Sequence, residues 1–89
     1  MKLSQRTEYE IVGKVIQEAR DELGITQRAL ARKVGRTETS ISKIEAGNQR
    51  VDLVELLDIA IALRVPLKEL AARFEEQATR LTSHKDNSD

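Results

Sequence analysis

Three glycines, Gly24, Gly35 and Gly47, fall 11 and 12 residues apart, and each ends a stretch with helical periodicity. A threonine follows the first two glycines after one more residue (Thr26 and Thr37), where an N-cap is expected. Such punctuation leaves space only for short helices joined by tight turns. The first helix is predicted to open at Thr7, with Glu10 at capping-box spacing, and to carry Val12, Val15, Ile16, Ala19 and Leu23 at steps of three and four. The second carries Ala29, Leu30 and Val34; the third carries Ile41 and Ile44 on one side. The fourth opens at Asp52, with Glu55 three residues on, and Leu53, Leu56, Leu57, Ala60 and Leu63 form its core face. The fifth starts near Pro66, a residue suited to a first helical turn, and runs through Leu67, Leu70, Phe74, Ala78 and Leu81. No segment alternates as a half-buried strand does. The expected architecture is all-α, with five helices over residues 7–81, a flexible start over residues 1–6 and a disordered polar tail over 82–89.

A single domain of 89 residues with this pattern has limited chemistry available. It has no cysteine, and its one histidine, His84, lies in the polar tail, so thiolate or histidine metal sites are excluded and no cofactor is implied. Two aromatics, Tyr9 and Phe74, are too few for a base-stacking platform. The adjacent carboxylates Glu75 and Glu76 point about 100° apart on a helix. Nothing assembles a nucleophile, a base and oxyanion donors, so an enzyme is not expected. No apolar run reaches membrane-spanning length, and the first residues lack a signal-peptide core, so a cytoplasmic location is expected.

Charge is balanced overall, 15 basic against 15 acidic residues, but it is segregated. Residues 26–50 hold six basic side chains against two acidic, whereas residues 51–76 hold three against six. A neutral chain can therefore present one basic face. That basic stretch contains a short helix (27–34), a glycine turn and a second short helix (38–46), which is a helix-turn-helix pattern. In such a unit the second helix enters the major groove and reads base edges. Ile41 and Ile44 supply its underside, and Glu38, Thr39, Ser42 and Lys43 lie away from them.

The runs Leu23-Gly24-Ile25-Thr26-Gln27-Arg28-Ala29-Leu30-Ala31-Arg32-Lys33-Val34-Gly35 and Ile41-Ser42-Lys43-Ile44-Glu45-Ala46-Gly47, followed by Val54 to Leu63, resemble the phage-repressor-like (Cro and repressor type, XRE) helix-turn-helix family over roughly residues 9–72. The resemblance implies a five-helix lambda-repressor-like domain that binds double-stranded DNA and regulates transcription. It implies that Gln27 braces a phosphate or an outer base, that Glu38, Thr39, Ser42 and Lys43 face the groove, and that the loop Asn48–Arg50 runs beside the backbone. It also implies an internal ion pair between Arg20 and Glu45. Many members carry a proline near position 51, where this chain has Val51-Asp52; the departure bears on the path of the loop.

Each of these residues has a plainer reading beside the functional one. Glu38 is either an acceptor for cytosine N4 or a first-turn acid favoured by the helix dipole. Thr37 is first an N-cap and only secondarily a phosphate contact. Arg28, Arg36 and Arg50 are placed to meet phosphates, whereas Arg32 and Lys33 are read as solvated surface. One module contacts a handful of base pairs, so a homodimer on a palindromic operator is expected. Val54 and Ile61, together with Leu67, Leu70, Phe74 and Leu81, are the expected interface. Repression by promoter occlusion is the simplest mechanism; members that activate do so through an acidic patch meeting RNA polymerase. The alternatives are an antitoxin that represses its own operon and binds a toxin, and a protein-interaction adaptor that has lost DNA binding.

Overall fold

The computed structural model describes residues 3–86, with side chains through Thr82. Five helices follow in order: α1 (Gln5–Leu23), α2 (Gln27–Val34), α3 (Glu38–Glu45), α4 (Leu53–Leu63) and α5 (Leu67–Asp86). No strand occurs among the described residues. The termini follow from side-chain caps. Thr26 accepts the Ala29 N–H at 3.0 Å, Thr37 accepts the Ser40 N–H at 3.1 Å, and Asp52 and Glu55 close a reciprocal capping box at 2.7 and 3.0 Å. Gly24 and Gly35 end α1 and α2 in the left-handed conformation.

Two helix ends differ from the sequence expectation. α1 opens earlier than Thr7, because Ser4 caps it by accepting the Thr7 N–H at 3.1 Å. Leu3 packs against the core, so the described part of the 1–6 segment is anchored. α5 continues past Leu81 to Asp86; residues 87–89 of the expected tail lie outside the described residues.

The core gathers Ile11, Val15, Ile16 and Ala19 of α1, Leu30 and Ala31 of α2, Ile41 and Ile44 of α3, Ile59, Ala60 and Leu63 of α4, and Leu70 of α5. α2 packs on α3 as the helix-turn-helix, α1 runs across α3, and α5 closes the far side of α1. The expected face of α4 is rotated. Leu53 and Leu57 are exposed and Ile59 takes their place inside. The core-facing arc is turned by about 60° from the one read in the sequence, at about 100° per residue. Nine of the eleven α4 residues are apolar, so periodicity alone does not fix which arc turns inward.

The same packing corrects part of the expected dimer surface. Leu70 is fully buried within the protomer, and Leu67 and Phe74 are half-buried against its core. Leu70 serves the fold and has no surface to offer a partner, whereas Leu67 and Phe74 pack on the core and keep part of their surface open. Val54, Ile61 and Leu81 remain exposed. With Leu53 and Leu57, Val54 and Ile61 form one apolar stripe along α4, within an arc of about 100°.

Candidate nucleic-acid interface

α3 has two unlike faces. Ile41 and Ile44 are 0 % and 1 % exposed, whereas Glu38, Thr39, Ser42, Lys43 and Ala46 are exposed on one continuous arc. The underside locks the helix onto the body and leaves short polar side chains and one amine projecting outward. Hydroxyls, an amine and a carboxylate are the groups that address base edges in a major groove.

An internal clamp holds α3 from behind. Arg20 reaches from the end of α1 and forks onto Glu45, with Nε to Oε2 at 2.7 Å and Nη2 to Oε1 at 3.0 Å. Its Nη1 also donates to the Ile25 carbonyl at 2.8 Å. Both side chains are largely buried, 12 % and 4 % exposed. The Arg20 guanidinium is held above its ordinary range, chiefly by the hydrogen bonds it donates to Glu45 and against the opposing effect of burial. Gln27, expected at a phosphate, donates its side-chain amide to the same carboxylate at 2.9 Å. It therefore joins the clamp while sitting half-buried at the start of α2.

Arg36 is a correction. Placed by sequence reading at a phosphate, it instead turns inward. It forms an ion pair with Glu55 and donates to the Ser40 hydroxyl at 2.9 Å. Ser40 also accepts from the Gln49 side-chain amide at 3.1 Å. This network ties the turn, α3, the α3–α4 loop and the start of α4 together. Ser40, Gln49 and Glu55 were missed as positioning residues. The signal for Ser40 was its place on the helical wheel, about 40° from Ile44 and on the underside. The Asp52 capping box also fixes how the loop enters α4.

The remaining candidates separate clearly. Arg28 and Glu38 are both exposed and meet at 3.4 Å, so a cation from α2 stands beside the first residue of α3. Thr37 uses its hydroxyl as the α3 cap. Asn48 and Arg50 are exposed in the loop, and the Asn48 N–H holds the loop to the Lys43 carbonyl at 2.8 Å. Lys33 lies beside Asp58 and Ile61 of α4.

Residues 16–70 match a helix-turn-helix family. A curated relative from Rhodospirillum rubrum, described as an uncharacterized transcriptional regulator in the ATPase CF(0) region, is 39 % identical over 56 residues, which is 63 % of this chain and 52 % of that one. The chain thus spans about half the length of the curated relative it matches. Among solved structures, an XRE-family like protein from Pseudomonas syringae pv. tomato is 30 % identical over 80 % of this chain and 87 % of its own, with a TM-score of 0.71. The restriction-modification controller protein C.AhdI from Aeromonas hydrophila is 28 % identical over 76 % of this chain and 99 % of its own, with a TM-score of 0.72. The clp gene regulator ClgR from Corynebacterium glutamicum is 19 % identical and shares the fold over 99 % of this chain and 90 % of its own, with a TM-score of 0.82.

Proposed function

Because the chain belongs to the XRE-type helix-turn-helix family, we propose that it is a sequence-specific double-stranded-DNA-binding transcriptional regulator. In this reading it represses by occupying a palindromic operator as a homodimer, with one α3 in each of two successive major grooves. The observation that carries it is the two-faced α3. Its isoleucines are sealed in the core, and Glu38, Thr39, Ser42 and Lys43 stand outward on one arc. Lys43 and the hydroxyls supply donors to base edges, and Glu38 supplies an acceptor for cytosine N4. Arg28 partly neutralises Glu38 where phosphates are dense, which lowers the cost of bringing a carboxylate to DNA. The curated relative is described as a transcriptional regulator, which agrees with this reading.

The test is selection of binding sites from a random duplex pool at about 0.15 M salt, a concentration at which nonspecific contacts are weak. The expected product is a two-fold motif with half-sites about 34 Å apart. A pool that returns without enrichment overturns the proposal.

A further inference from the structure

We propose that the cleft between the start of α1 and the α3–α4 loop seats one DNA backbone phosphate, and that Arg6 and Tyr9 complete this seat from the α1 side. The proposal rests on the reading of α3 as the groove-entering helix. The cleft encloses about 300 Å³, with Gln5, Arg6 and Tyr9 on one wall and Asn48, Gln49 and Arg50 on the other. Its lining holds two guanidinium groups, three side-chain amides and a phenol, and no carboxylate. These are the side chains that contact phosphate oxygens along a duplex. In a chain of zero net charge, such a lining is a local cationic site. Glu10, at its border, meets Arg6 at 3.6 Å with both groups well exposed, an ion pair weak enough to yield to a phosphate.

The cleft is preformed. Gly47 has a positive φ of 80°, and a Cβ there would meet Glu10 Cγ at 2.7 Å, so the loop lies directly against α1. The Asn48 N–H is held by the Lys43 carbonyl at 2.8 Å, and the Gln49 amide by Ser40 at 3.1 Å. A fixed wall spares the ordering cost of binding. Its position also suits a phosphate. The eight residues of α3 extend about 12 Å, which is about the width of the major groove. A cleft that begins at the C-terminal end of that helix therefore faces a sugar-phosphate strand at the groove's edge.

The experiment measures binding of the selected duplex by fluorescence anisotropy between about 0.05 and 0.3 M salt. Arg6→Gln should weaken binding about tenfold and lower the log–log salt slope by about 1, with base preference unchanged. Tyr9→Phe should weaken binding about threefold with the slope unchanged, as one neutral hydrogen bond is lost. Arg80→Gln, which removes an exposed cation on α5 outside the cleft, is the control for general charge. If Arg6→Gln loses no more than Arg80→Gln while Lys43→Ala binds poorly, the phosphate seat is wrong and the groove reading stands. If Lys43→Ala also binds as wild type, the groove reading fails and the seat fails with it.

Discussion

Gly13 lies inside α1, where glycine costs a helix about 0.5–1 kcal/mol relative to alanine. The reason for it is across the interface. A Cβ at position 13 would meet the carbonyl oxygens of Glu45 and Ile44 at 2.4 and 2.5 Å, so α3 rests directly on the α1 backbone. Nothing in the local sequence marks this residue, because the neighbour that requires it is thirty residues away. Gly13→Ala improves helix propensity but drives a methyl group into backbone that cannot swing aside. The expected outcome is a net loss of about 2 kcal/mol, read as a fall in melting temperature of about 10 °C. A melt at or above the wild-type temperature shows that α3 can retreat from α1 at little cost. By contrast, the caps at Thr26, Thr37 and Asp52 were readable, since a cap and the N–H it satisfies lie within three residues. Arg64, which ends α4 with a φ of 60°, was not, because the sequence shows an arginine where glycine is usual.

At the scale of elements, α3 depends on a buried clamp. Arg20, Gln27 and Glu45 come from α1, α2 and α3, and a single carboxylate joins all three helices. Removing that carboxylate leaves a guanidinium only 12 % exposed without its main partner. Glu45→Ala should therefore cost about 3 kcal/mol, and the melting temperature should fall by about 15 °C. A variant that melts within a few degrees of wild type overturns the assignment of Glu45 as the joint of the three helices. The elements themselves were legible wherever polar and apolar residues alternate with helical period, as on α1 and α3. α4 was legible as a helix but not in its orientation, because its apolar residues surround it. The inward turn of Arg36 was equally hidden, since its partner Glu55 approaches only after α4 has docked. In both cases the missing information is tertiary.

For the whole molecule, the informative surface is the apolar stripe of α4. Leu53, Val54 and Ile61 are about 70 % exposed and Leu57 is 42 % exposed, while the buried side of the same helix is already satisfied. On the proposed reading, in which one domain contacts only a few base pairs, a stripe of this kind suits a second copy of the same chain. In the proposed dimer, a two-fold axis lets one stripe cover its own image and presents two copies of α3 to one operator. The polar surround agrees, because the stretch 51–76 is acidic and the stretch 26–50 basic, so pairing through α4 keeps the repelling charges off the duplex. Ile61→Glu tests this directly. The side chain is 67 % exposed, so the protomer should keep its helical circular dichroism and melt near the wild-type temperature. Across a two-fold interface, however, the substitution takes a carboxylate on each side out of water and into an apolar seam, a cost of several kcal/mol. Sedimentation at micromolar concentration should change from dimer to monomer, and affinity for the full operator should fall by at least about a hundredfold, toward that of a half-site. A variant that still sediments as a wild-type dimer moves the interface off α4. A wild-type protein that sediments as a monomer at about a hundred micromolar removes the dimer itself, since each 1.4 kcal/mol of association free energy changes Kd by only a factor of ten.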